Sequence, residues 1–225
     1  MKEHKSKITI NNVILKHVKN NIRDYFLLLI FFILGIVLGV FFINHTGTEQ
    51  KQEIDTYINE FVNSLKQSTS IYYGDILKES LIKNITFSLV LWLIGLTVTL
   101  FPVIYGIIAF RGFCLGYTIS SLIGSLGLTN GMIISVASLL MQNIFFIPAA
   151  FGLAVSGIRL YKNTIGRKDR QNLVETKRKT DKSNLKIEII RHSLFSLIIT
   201  GILVLSSFIE TYCSANLLNL LIKYI

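Results

Sequence analysis

The residue types that most often perform catalysis are present in this sequence but form no recognisable catalytic set. The four histidines, His4, His17, His45 and His192, are scattered and do not match a zinc-binding spacing such as HExxH. Gly124-Ser125-Leu126-Gly127 resembles a serine elbow only loosely, and no histidine falls within a predicted membrane span. A Walker lysine motif and a pair of intramembrane aspartates are also missing. We therefore predict a protein that is not an enzyme and that uses no cofactor or metal.

A second group of polar residues lies inside long apolar runs, where charged and amide groups are costly. Arg111 precedes Gly112, which favours a cytoplasmic turn from which the arginine reaches the headgroups. The alternative is a membrane-buried charge that implies a pathway or a partner. Gln142 and Asn143 are expected to hydrogen-bond between helices rather than hold a substrate. Glu210 is either an intramembrane carboxylate or an interfacial one, and the sequence leaves both open.

Composition explains why these residues must sit in a membrane. The chain has 225 residues, of which 51% are hydrophobic and 16% charged, and its mean hydropathy is +0.55. The net charge of +10 does not indicate nucleic-acid binding, because the basic residues flank the apolar runs. Cys114 and Cys213 lie in apolar surroundings and suggest neither a disulfide framework nor a zinc site.

The apolar runs predict an all-α polytopic membrane protein with about five transmembrane helices. A run of nineteen uncharged residues at 25–43 would span about 28 Å as a helix, close to the roughly 30 Å hydrocarbon core. The predicted spans are 25–43, 85–109, 112–128, 132–158 and 193–212. The predicted segments outside the membrane are 1–24, 44–84, 159–191 and the tail 213–225.

The distribution of basic residues predicts the orientation of these spans. Segment 1–24 carries six basic residues and segment 159–191 carries eleven, whereas segment 44–84 has six acids against four bases. Basic segments stay on the cytoplasmic side of a membrane. We therefore predict a cytoplasmic amino end and an extracytoplasmic carboxyl end.

Two sequence patterns predict contacts between helices. Gly35 and Gly39 in the first span, and Gly112 and Gly116 in the third, form GxxxG motifs that allow close helix packing. In segment 44–84, apolar residues recur at helical spacing and predict an amphipathic helix with one apolar face to bury. The residues of this face proposed to dock a partner are Tyr57, Ile58, Phe61 and Leu65.

Four stretches of the chain together resemble the stage II sporulation protein M family. They are LLIFFILGIVLGVFFIN at 28–44, IYGIIAFRGFCLGYTIS at 104–120, FFIPAAFGLAVSG at 145–157 and FIETY at 208–212. The last stretch matches an Ile-Glu pair of the family, but Cys213-Ser214-Ala215 follows where family members often have Thr-Pro.

This resemblance implies a five-span membrane scaffold for engulfment during endospore formation. Its implied partners are the sporulation proteins D and P, which cut peptidoglycan, and its implied location is the septum and the membrane that engulfs the spore. The resemblance also implies that the protein is not itself a hydrolase and takes no small-molecule substrate.

A transporter or permease-like subunit is the alternative function. Pro102, Pro148 and the glycines within the spans permit broken helices around a central site. A transporter would also gather several polar side chains in one cavity, and few are available for this purpose. The candidates are Thr97, Thr99, Gln142, Asn143 and Glu210.

Overall fold

The structure is a computed structural model that describes residues 18–67, 73–97, 100–171 and 178–221. Within these ranges the side chains of Leu65, Gln67, Leu140, Met141, 165–185, Ala215 and Asn219 are not described. The helices are α1 (Ile22–Asn44), α2 (Thr48–Gln67), α3 (Tyr73–Leu96), α4 (Phe101–Leu126), α5 (Leu128–Ser135), α6 (Met141–Gln171), α7 (Arg178–Ile209) and α8 (Ala215–Leu221). Two π-helical turns, Val136–Leu140 and Glu210–Ser214, join α5 to α6 and α7 to α8.

Five of the helical segments are long and apolar enough to cross a membrane. They are Ile22–Asn44, Tyr73–Leu96, Phe101–Leu126, Gln142–Thr164 and Lys186–Leu218. In the described ranges, no strand accompanies them. The predicted all-α fold with about five such helices is therefore confirmed.

The turn between the second and third spans differs from the prediction. α3 ends at Leu96 and α4 begins at Phe101, so the chain reverses near residue 100 rather than at Arg111-Gly112. Pro102 lies in the first turn of α4, where a missing N–H and a fixed φ favour helix initiation. The proline thus lies at the start of the third span, and the observed helices Tyr73–Leu96 and Phe101–Leu126 differ from the predicted boundaries 85–109 and 112–128.

The boundaries of the last two spans also differ from the sequence prediction. α4 ends at Leu126, and the next residue, Gly127, has a φ of 79° in the left-handed region that glycine adopts readily. The helical path then continues from Leu128 through a π turn to Gln171, past the predicted end at residue 158. In the predicted loop 159–191, the described residues 159–171 and 178–191 are helical. Residues 172–177 lie outside the described ranges. The predicted tail 213–225 begins inside a π turn and α8.

The fourth span forms the centre of the bundle. Within its most apolar window 67% of the residues are buried, compared with 28–33% for the other four spans. Leu153, Ala154, Val155 and Ile158 on α6 are almost completely enclosed. The remaining spans pack around α6 and expose apolar side chains outward, as a bilayer requires.

The amphipathic helix α2 packs across one end of this bundle. Ile58 and Val62 are buried in a small apolar cluster with Leu122 of α4 and Ile134 of α5. Asp55 accepts a hydrogen bond from the Ser125 hydroxyl, which fixes α2 to the end of α4. The chain therefore buries part of the apolar face of α2 against itself.

Candidate functional site

The closest helix packing in the molecule joins α1 to α4 through both GxxxG motifs. A Cβ atom added at Gly35 or Gly39 would overlap the backbone carbonyl of Ala109 or Phe113 on α4. A Cβ added at Gly112 or Gly116 would overlap the carbonyls of Phe32 and Ile36 on α1. The four glycines thus let the two backbones touch, which gives van der Waals contact that larger side chains would prevent.

A row of hydrogen bonds between side chains joins α3 to the fifth span along most of their length. From one end to the other, the bonded pairs are Tyr73–Asn216 (2.7 Å), Ser80–Glu210 (2.6 Å), Asn84–Ser207 (2.8 Å), Ser88–Thr200 (2.5 Å) and Trp92–Ser193 (3.2 Å). We call this row the polar ladder. In hydrocarbon, each bond compensates a polar group that has no water to contact.

The polar ladder was not predicted from the sequence, although the sequence contains a signal for it. Ser80, Asn84, Ser88 and Trp92 recur every four residues, which places them on one face of a helix. The predicted second span began at residue 85, so Ser80 and Asn84 were assigned to an extracytoplasmic segment. Most other residues of this helix are apolar, so the row of polar residues was not recognised from the sequence.

Glu210 is a member of the ladder and also begins a π turn. Its carboxylate is half-buried and accepts a hydrogen bond from Ser80 on α3. The neighbouring Ser207 and Thr211 hydroxyls instead donate to carbonyls of their own helix. At the end of the same turn, the Ser214 hydroxyl donates to the Ala137 carbonyl in the other π turn at 2.9 Å. The two π turns are therefore directly bonded to each other.

Arg111 lies in the middle of α4 and is not a turn residue. Its guanidinium carbon is 4.2 Å from the centre of the Phe146 ring on α6, a cation–π contact. Its Nε atom is buried and has no hydrogen-bond partner in the described part of the chain. Lys83 and Glu210 are close enough to interact with it electrostatically. The adjacent glycine led to the prediction of a turn, but Gly112 instead provides the close packing against α1.

Gln142 and Asn143 are buried next to the first π turn. The Asn143 side-chain amide donates to the Leu139 carbonyl of the preceding turn at 2.7 Å, rather than to another helix. The Gln142 amide nitrogen and the Asn143 amide oxygen have no hydrogen-bond partner among the described residues. Among the described residues, the Asn143 amide group therefore bonds within its own helix rather than between helices.

The candidate docking residues on α2 separate into two groups. Tyr57 is 74% exposed and Phe61 is 42% exposed, whereas Ile58 is 7% exposed. Ile58 was wrongly expected to be free for a partner, because its face of α2 packs on the bundle. The side chain of Leu65 lies outside the described part of the structure.

One serine–histidine pair occurs within the bundle, contrary to the sequence interpretation. His192 falls inside the fifth span, and its Nδ1 atom lies 2.8 Å from the Ser156 hydroxyl of α6. Beside it, Gly95 and Gly157 bring the backbones of α3 and α6 into contact, and a Cβ at Gly95 would lie 2.7 Å from the His192 Nε2 atom. Both side chains are buried between these helices. Its observed effect is to join α3, α6 and α7.

Comparison with known proteins identifies the family. The family model described as stage II sporulation protein M matches residues 28–215, which is most of the chain. No curated protein and no solved structure matches it. The match includes all five candidate spans in whole or in large part, together with both GxxxG motifs and the polar ladder except for Asn216. The chain belongs to the stage II sporulation protein M family.

Proposed function

We propose that this protein is a membrane scaffold that anchors peptidoglycan-degrading enzymes at the septal and engulfing membranes during endospore formation. Family membership makes it a sporulation-related membrane protein. The structural observation that carries the finer proposal is the position of α2. This helix is held on one end of the bundle through Ile58 and Val62, and it directs Tyr57 and Phe61 away from it. Exposed aromatic side chains on a fixed helix are typical anchors of protein interfaces.

The proposed orientation places α2 on the side of the membrane where the cell wall lies. Segments 1–24 and 159–191, the second of which includes the end of α6 and the start of α7, hold most of the basic residues. A cytoplasmic position for both segments satisfies the positive-inside rule and puts α2, α5 and α8 outside. The proposed partners, the sporulation proteins D and P, would then meet Tyr57 and Phe61 in the compartment where they cut peptidoglycan.

A scaffold without catalytic activity is consistent with the chemistry of the described residues. The family is not a known enzyme family. The Ser156–His192 pair is packed between helices, and neither residue lines two surface cavities of about 360 and 540 Å³ formed by described residues. Those two cavities are lined by neither Gln142, Asn143 nor Glu210, so they do not provide the shared polar site that a transporter would need.

The test is recovery of the partners from sporulating cells that produce a tagged chain. The variant Tyr57→Gln/Phe61→Gln removes the exposed aromatic groups and leaves Ile58 and Val62 in place. After crosslinking and solubilisation, we expect this variant to retain less than about a tenth of the D and P proteins that the unchanged chain retains. A tenfold loss corresponds to interface residues that contribute about 1.4 kcal/mol or more to the binding free energy.

The matched control is Gln50→Ala/Asn59→Ala, because both residues are exposed and polar on the same helix. It should recover both hydrolases fully and place them at the septum. Full recovery by the aromatic variant would remove this surface of α2 from the interface. Failure of the unchanged chain to recover either hydrolase would refute the scaffold function itself.

A further inference from the structure

A groove between α3 and α4 opens on the side of the bundle, and Arg111 is one of the residues that line it. Its volume is about 360 Å³. Phe87 of α3 forms one wall, and Val103, Gly106, Phe110 and Cys114 line the α4 side. A Cβ added at Gly106 would meet no atom within 4 Å, so the groove is open at this point. We call this feature the Arg111 groove.

The depth of Arg111 makes the groove unusual. Arg111 is ten residues after the first residue of the 26-residue helix α4, which places it about 15 Å along the helix axis. A hydrocarbon core is about 30 Å thick, so the Cα atom of Arg111 lies near its middle when the start of α4 is at the membrane surface. A cation at this depth requires an anionic or strongly polar partner.

The chain itself supplies only part of this compensation. In the described ranges no carboxylate forms an ion pair with Arg111, and the Phe146 ring contacts one face of the guanidinium. Glu210 interacts with it at longer range but accepts its hydrogen bond from Ser80. Lys83, one turn from Phe87 on α3, adds a second positive charge to the same region, and Glu79 interacts with that lysine. Arg111 is therefore the cation of this region whose buried Nε atom has no hydrogen-bond partner among the described residues.

A phospholipid does not match this arrangement. A lipid in the groove would keep its phosphate at the membrane surface, at the level where α4 begins, and would present the ends of its acyl chains to Arg111. A carboxylate at mid-membrane depth is supplied instead by an acidic side chain on a transmembrane helix, the setting in which intramembrane charges pair. From Val103 to Cys114 the groove follows α4 for about 16 Å, or three helical turns.

We propose that the Arg111 groove binds one transmembrane helix of a partner protein, and that this helix carries a single Asp or Glu near its middle. The carboxylate pairs with Arg111, and small or aliphatic side chains on the same face fill the space above Gly106. This inference rests on the proposed anchoring function for its biological setting, since it states how an anchored partner is held in the membrane. Its chemistry is independent of which partner is anchored.

The test uses the full chain in phosphatidylcholine–phosphatidylglycerol vesicles and a labelled Leu/Ala-rich transmembrane peptide as the probe. One peptide carries Glu at its centre, and the matched peptide carries Gln. Energy transfer from a fluorophore on an amino-terminal tag reports their association with the chain. We expect the Glu peptide to bind about tenfold more tightly, as for an intramembrane polar contact of ordinary strength.

Variants of the chain locate the binding site. Arg111→Gln should remove the preference for the Glu peptide, whereas Arg111→Lys should retain much of it. Gly106→Leu should weaken the binding of both peptides, because the leucine side chain fills the groove without meeting other atoms of the chain. Gly201→Leu is the matched control, since Gly201 also faces open space but lies on α7, away from the groove.

Three results would overturn the inference. The first is equal binding of the Glu and Gln peptides, and the second is a Glu preference that survives both Arg111→Gln and Gly106→Leu. The third is labelling of the chain by a photoactivatable phosphatidylglycerol that depends on Arg111, combined with equal binding of the Glu and Gln peptides. This result would show that the groove binds lipid. If the peptides bind equally but the hydrolases are still recovered from cells, the inference fails and the proposed function stands. If the Glu preference is found and no hydrolase is recovered, the proposed function fails and the inference about the groove stands.

Discussion

The Ser214 hydroxyl donates a hydrogen bond to the backbone carbonyl of Ala137 at 2.9 Å, and this contact joins the two π turns of the bundle. The π turn is an uncommon conformation that is found mostly as single-turn insertions, frequently at functional sites. Here each turn lies towards the proposed outer end of a span, close to where α2 packs. The bond therefore links the ends of the fourth and fifth spans directly below the proposed docking surface.

Replacement of Ser214 by alanine should destabilise the bundle by about 0.6 kcal/mol, the average for hydrogen bonds between transmembrane helices. The control is Ser121→Ala. Ser121 is buried to a similar degree, but its hydroxyl bonds to the Tyr117 carbonyl of its own helix. Unfolding measured in mild detergent should distinguish the two variants. Equal stability of both would show that the bond between the π turns contributes nothing measurable.

The glycine contact between α1 and α4 should be more sensitive to substitution. In Gly39→Leu, the added side chain would meet the Phe113 carbonyl, so the helices must separate at a cost of about 1–3 kcal/mol or more. Gly201→Leu adds the same side chain where no atom lies within 4 Å and should leave stability nearly unchanged. Thermal unfolding of the two variants in the same detergent is the measurement. Loss of stability in Gly201→Leu alone would contradict this description of the packing.

The ion pair of Asp24 with Lys162 predicts an asymmetric response to mutation. Asp24 Oδ1 lies 2.5 Å from the Lys162 ammonium nitrogen, and the Asp24 side chain is 6% exposed compared with 55% for Lys162. Lys162→Met leaves a buried carboxylate unpaired and should destabilise the protein by at least about 1 kcal/mol. Asp24→Asn should cost less, because the exposed lysine remains hydrated.

The double variant Asp24→Asn/Lys162→Met completes this comparison. It should be more stable than Lys162→Met alone, because the unpaired carboxylate is no longer present. The free energies of unfolding of the unchanged chain, the two single variants and the double variant, measured under identical conditions, give the coupling energy between Asp24 and Lys162. Strictly additive effects of the two substitutions would mean that the two side chains do not interact significantly.

The orientation of the chain is tested by reporter fusions. Alkaline phosphatase joined after Gln67 should be active, because the positive-inside rule places α2 outside the cytoplasm. The same reporter joined after Gln171 should be inactive, and a cytoplasmic fluorescent protein at that position should be bright. The opposite pattern would place α2 in the cytoplasm and remove its proposed contact with enzymes of the cell wall.

The sequence by itself determined the class of fold and the identity of the family. Uncharged runs long enough to cross a bilayer require helices, since every backbone N–H and C=O must bond within its own segment. The spacing of Gly35 and Gly39 likewise indicated a face where another helix approaches, because this property depends only on the absence of side chains. The resemblance was recognisable in local stretches that the family model also matches.

Only the tertiary structure decided where the polar side chains lie and what they contact. An arginine followed by a glycine occurs both in turns and in the middle of helices, so the sequence alone does not distinguish the two positions. In the structure, α4 begins next to Pro102, which places Arg111 in the middle of the helix. Likewise, Tyr57 and Ile58 are adjacent residues of the same amphipathic helix. Ile58 is buried because it packs against Leu122 and Ile134, whereas Tyr57 is exposed, and the sequence does not distinguish the two. Hydrogen bonds such as Ser80–Glu210 join residues far apart in the chain, and their pairing depends on the relative rotation of two helices, which local spacing does not fix.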